Sequence, residues 1–87
     1  MDDKEKSILI KCARTYVSIK KWDKAIEEYE KLRFEAPDDP NIIEQLAICY
    51  FNTGKIPSYR LMINKAIDIY ISKENFEKAR LLKEKLK

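Results

Sequence analysis

The chain has 87 residues, 45% hydrophobic and 38% charged, with 18 lysines and arginines against 15 aspartates and glutamates and no histidine. That length allows one small domain with a modest core, and the composition is that of a folded helical chain rather than a disordered one. No apolar run approaches the ~20 residues of a membrane span, and the charged start MDDKEK lacks the apolar core of a signal peptide, so the expected location is the cytoplasm.

The first helix is expected over Asp3–Ile19, capped by Asp2 or Asp3. Its core stripe is Leu9, Cys12, Ala13 and Tyr16, with Ile8, Ile10, Val17 and Ile19 adding apolar surface beyond it. The second helix starts at Trp22 or Asp23 and ends near Glu35. Trp22, Ala25, Ile26, Tyr29 and Leu32 fall on one face, and Glu27–Lys31 is an i, i+4 pair on the other. Ala25 leaves room for a close helix neighbour, and Pro37 cannot continue the helix. In the turn APDDPN, Asp39 is the expected cap and Pro40 occupies the first helical turn.

The third helix, Pro40–Asn52, carries Ile43, Leu46, Ala47 and Tyr50, and Gly54 supplies a left-handed residue after its end. A fourth helix opens with Pro57 and runs to about Ser72. Its stripe is Tyr59, Met62, Ile63, Ala66, Ile67 and Tyr70, widened by Ile69 and Ile71. A helix apolar over so much of its surface is expected between two neighbours. The fifth helix, about Glu74–Leu86, sets Phe76, Ala79, Leu82 and Leu86 against a charged back and reads as a solubilising cap.

Shifting the chain by 34 positions lays Ala13 on Ala47, Tyr16 on Tyr50, Leu9 on Ile43 and Trp22 on Ile56. Leu9, Cys12, Ala13, Tyr16, Trp22, Ala25, Tyr29, Leu32 and Pro37 together resemble the tetratricopeptide repeat, a helical hairpin of about 34 residues. Leu9 stands where the family often has tryptophan, and Lys20 replaces the turn glycine. The resemblance implies an all-α, right-handed superhelix of antiparallel helical hairpins, about five helices in one domain over 1–87. Repeat one is 6–39, an atypical repeat two is 40–72, and 73–87 is a C-terminal capping helix. The fourth helix is the second of repeat two by strict counting. Tyr59 then replaces the small Ala25, whereas Tyr70 to Phe76 repeats Tyr16 to Trp22, as if a third hairpin began there.

Catalysis finds little material in this sequence. Without histidine the usual general base and metal ligand are missing, and there is no phosphate-binding glycine loop or nucleophile elbow. Cys12 and Cys49 have no CxxC spacing and are expected to be reduced, buried or half-buried small hydrophobes. No cofactor is expected. Residues 1–39 carry nine basic and ten acidic side chains and residues 40–87 nine and five, so the net +3 divides into −1 and +4. That bias is too mild to lead with nucleic acid as the partner.

Hairpins of the resembled family line a concave groove with their first helices and bind a peptide or helix of another protein there. The corresponding positions are Ser7, Ile10, Arg14, Val17 and Ser18 on the first helix. On the third they are Asn41, Glu44, Ile48, Phe51 and Asn52. Family members that grip a C-terminal carboxylate have lysine and asparagine where this chain has Ile10 and Arg14, so that clamp is not expected. The apolar members Ile10, Val17, Ile48 and Phe51 fit three readings: packing within the fold, a groove for a partner protein, or the seam of a homodimer.

Overall fold

The computed structural model describes residues 1–86, which form five α-helices and no strand. They are α1 (Asp3–Ser18), α2 (Trp22–Glu35), α3 (Pro40–Asn52), α4 (Ile56–Ser72) and α5 (Phe76–Glu84). Each helix packs chiefly on the helices before and after it in the chain, within an envelope of 31 × 29 × 18 Å. The central helices α2, α3 and α4 therefore have two extensive neighbours each, and α1 and α5 have one.

The helix starts follow local chemistry. Asp2 caps α1 by accepting from the Glu5 amide at 2.8 Å, and Asp39 caps α3 by accepting from the Asn41 amide at 3.0 Å, with Pro40 in the first turn. Helix α5 begins at Phe76 rather than at Glu74, because Asn75 is its cap, accepting from the Lys78 amide at 3.3 Å.

Three of the four connections are one and the same turn. After α1, the Lys20 amide bonds the Val17 carbonyl and the Lys21 amide the Tyr16 carbonyl. After α3, Gly54 and Lys55 bond Phe51 and Tyr50 in the same way, and after α4, Glu74 and Asn75 bond Ile71 and Tyr70. This paired closure needs a left-handed residue just past the helix. Lys20, Gly54 and Glu74 occupy it with φ of 61°, 76° and 60°. The turn after Tyr70 thus repeats the turn after Tyr16, as the Tyr70–Phe76 spacing suggested.

One cluster of buried apolar residues runs through the molecule. Ala13 and Ala25 are completely buried, so α1 and α2 meet through small side chains. Helix α3 contributes Ile42, Ile43, Leu46, Ala47 and Cys49, and α4 contributes Met62, Ile63, Ala66, Ile67 and Tyr70. Ile42 and Cys49 widen α3 beyond the expected stripe, because both flanks of this helix are covered. Helix α4 lies between α3 and α5 as its breadth of apolar surface implied.

Four expectations need correction. Cys12 is exposed, since α1 has one extensive neighbour and that neighbour meets its opposite side. Phe76, expected on the inner face of α5, is 62% exposed because it sits at the first residue of the helix, beyond the reach of α4. Ile71, expected to widen the buried stripe of α4, is 40% exposed. Lys31 pairs with Glu28 at 3.6 Å, one turn position away from the expected Glu27.

The left-handed turns yield a test. An L-residue there costs roughly 1–2 kcal/mol of backbone strain, offset in part by glycine's greater freedom in the unfolded chain. Lys20→Gly and Glu74→Gly should each stabilise by about 0.5–1 kcal/mol, raising the melting temperature by several degrees in a chain of this size. Gly54→Ala should cost about 1 kcal/mol, all of it backbone strain, because a Cβ at Gly54 meets nothing within 4 Å. Thermal melts in which both glycine variants lose stability would contradict the turn assignment.

Candidate interaction surface

Helix α3 buries about half its circumference, and the remaining arc carries Asn41, Glu44, Ile48, Phe51 and Asn52. Helix α1 turns Ile10 and Arg14 towards the same space. Between them lies an open depression of about 350 Å³, lined by Ile10, Arg14, Asn41, Glu44 and Ile48, with Tyr29 of α2, only 2% exposed, also in its wall. Asp39, Ile42 and Gln45 complete it. Five of the ten residues expected on this face therefore share one hollow.

The other five stand outside it, Ser7 and Ser18 as exposed residues of α1. Val17 is half-buried against the core. Asn52 donates its side-chain amide to the Ile48 carbonyl at 2.8 Å, closing the end of α3. Phe51 is 57% exposed and meets Tyr59 edge-on, with centroids 5.2 Å apart and planes at 60°. Sequence periodicity placed Tyr29 in the core; its position in the wall of the hollow depends on how far α1 and α3 are spread, which periodicity does not carry.

The charges around the hollow differ in their commitments. Glu44 accepts from the Tyr70 hydroxyl at 2.6 Å, a short charge-assisted bond that ties α3 to α4. Lys78 of α5 lies over the Tyr70 ring, 5.6 Å from its centre. A similar link joins α2 to α3: Tyr50 donates to Glu30 at 3.2 Å, while Arg33 grips the same carboxylate through Nε and Nη2 at 3.2 and 2.8 Å. Arg14, in contrast, is exposed and takes part in no ion pair or side-chain hydrogen bond among the described residues. Its guanidinium partly offsets the rise in the Tyr29 hydroxyl pKa, which is driven first by burial and then by the Cys49 thiol.

Burial pushes the Cys49 thiol up to about 11, so this cysteine is held as a neutral packing group. Among the described residues, no three of His, Cys, Asp and Glu gather as a metal site would require, and no helix is long and apolar enough to cross a membrane. No family model matches the chain, and no curated protein or solved structure matches it either.

The tyrosine link predicts an alkaline weakness. Burial, and next donation to Glu44, push the Tyr70 hydroxyl up from 10.0 to about 12; the Cys49 thiol rises from 9.0 to about 11. Both groups are neutral in the folded state, so the stability they contribute is complete below their unfolded values. It is lost as pH rises towards the folded ones. The urea midpoint should hold steady near neutrality and fall from about pH 9 upward. Tyr70→Phe should cost about 1 kcal/mol at neutral pH and make the alkaline fall shallower. An identical alkaline slope in Tyr70→Phe would contradict the assignment.

Proposed function

We propose that this chain is a protein-interaction module of the tetratricopeptide kind, without chemistry of its own, that holds a peptide or helix of a partner protein across α1 and α3. The observation carrying this reading is the exposure of Ile48 and Phe51. They are 41% and 57% open on a helix whose other apolar residues are almost all buried. Beside them lie Ile10, Arg14 and Asn41 around the hollow. An apolar strip bordered by an uncommitted guanidinium and an amide offers both contact area and orientation, the combination that marks binding patches.

The hairpin architecture supports the family reading. Tyr16 and Tyr50, 34 residues apart, close equivalent turns, and Ala13 and Ala47, the same distance apart, are both buried. A cytoplasmic setting agrees with two free cysteines.

Phe51→Ala tests the proposal. A buried phenylalanine costs ~3–5 kcal/mol on truncation, but Phe51 is mostly open and should cost about 1 kcal/mol, chiefly its edge-on contact with Tyr59. Peptides selected from a random display library on the native chain should bind Phe51→Ala at least ~2 kcal/mol more weakly, about 30-fold. Selected peptides that bind both forms equally would sink this assignment of the face.

A further inference from the structure

The wall of the hollow contains one polar group that packing does not account for. Tyr29 and Tyr70 are the buried tyrosines, 2 and 6% exposed. A tyrosine taken into a core normally finds a partner for its hydroxyl. Tyr70 donates to Glu44, but the Tyr29 hydroxyl makes no hydrogen bond among the described residues. No fully enclosed side-chain oxygen or nitrogen among them lacks a partner. The Tyr29 hydroxyl is therefore the part of this side chain that stays open, and it opens into the hollow. A phenylalanine would fill the same place in the core, so the hydroxyl serves the hollow rather than the packing.

The charges lining the hollow are divided between two ends. Arg14 is the one cation among its lining residues. Burial and the Cys49 thiol raise the Tyr29 hydroxyl pKa while the Arg14 charge lowers it, so the guanidinium is within electrostatic reach of that hydroxyl. The lining carboxylates are Asp39 and Glu44. They act at the other end, where both add to the effect of burial on Tyr70. Both are also engaged: Glu44 accepts from the Tyr70 hydroxyl and Asp39 from the Asn41 amide. Arg14 and Tyr29 thus present donors with no acceptor, beside the apolar side chains of Ile10 and Ile48.

We infer that the hollow seats a side-chain carboxylate of the partner segment, an aspartate or glutamate held by the Arg14 guanidinium and the Tyr29 hydroxyl. This rests on the partner-binding reading of the same face and adds the chemistry of the residue that enters it. An ionised acceptor answers both free donors at once, and such charge-assisted bonds are about twice as strong as neutral ones. A lysine or arginine of the partner would meet Arg14 and leave the hydroxyl's proton unused. The Asp39–Glu44 end repels an acid, so the carboxylate is directed to Arg14 and the segment lies in one direction across α1 and α3.

Peptides selected from a random display library on the native chain, then synthesised with amidated C-termini, supply the probe. Each should contain an aspartate or glutamate whose change to asparagine or glutamine weakens binding about tenfold or more. Arg14→Gln and Tyr29→Phe should each weaken the acidic peptide to a similar degree. Each should also bind the acidic and carboxamide forms more nearly alike, as a double-mutant cycle requires of groups in contact. Tyr29→Phe should keep the native melting temperature, because its hydroxyl bonds nothing within the fold. A melt lowered by several degrees in Tyr29→Phe would mean that the hydroxyl is committed inside, against the inference. Binding that vanishes on amidation would assign the hollow to a C-terminal carboxylate and overturn it as well. Peptides weakened by Phe51→Ala but held equally by Arg14→Gln and Tyr29→Phe would overturn this inference alone and leave the interaction surface standing. A selection yielding no peptide that depends on Phe51 would remove the surface, and the inference with it.

Discussion

Helix α3 is held from two sides, and the rest of the molecule is arranged around that constraint. Five of its residues, Ile42, Ile43, Leu46, Ala47 and Cys49, are buried between α2 and α4. Burying so much of one short helix needs a neighbour on each flank, which sets the order of the stack. The two tyrosine–glutamate links reinforce the same two interfaces, Tyr50 to Glu30 towards α2 and Tyr70 to Glu44 towards α4. Polar bonds of this kind add modest net stability but penalise any sliding of one helix past another, because each would leave a partly buried hydroxyl unpaired. What remains of α3 after two faces are covered is a single arc, and that arc holds Ile48 and Phe51.

The end helices obey the opposite condition. With one neighbour each, α1 and α5 cannot bury a broad apolar surface, and their sequences differ in how they handle this. Helix α5 surrounds its exposed Phe76 and Leu81 with Lys78, Arg80, Lys83 and Lys85. Helix α1 leaves Ile8, Cys12 and Ile19 exposed along one line, with Lys11 and Arg14 on other sides of the helix. The same stacking principle therefore leaves a charge-shielded edge at one end and an exposed apolar line at the other.

Much of this was legible in the sequence, for identifiable reasons. Caps and stops depend on adjacent residues, so Asp2, Asp39, Pro40 and Gly54 could be read directly, and α3 begins and ends where they place it. Three of the four turns close on the backbone carbonyl of a tyrosine, a local pattern that the sequence spacing displays. Long-range facts were harder to read. Cys12 sits on the stripe that i, i+4 spacing selects in α1, yet periodicity does not say that this flank lacks a neighbour. Ile42 failed in the opposite sense, buried because α3 has two partners rather than one, whereas Cys49 is buried as expected. Ile10, Arg14, Asn41, Glu44 and Ile48 do line one hollow. Their commitments were hidden, since the bond from Tyr70 to Glu44 crosses 26 positions of sequence.

Native-state hydrogen exchange tests the central claim, that α3 is the element on which the others depend. Amides of α3 between Ile43 and Cys49 should exchange only through global unfolding, together with the α2 and α4 amides that face them. Those of α5 and the first turn of α1 should open at lower free energy, because each has one neighbour. Protection greater in α1 or α5 than in α3 would contradict the account.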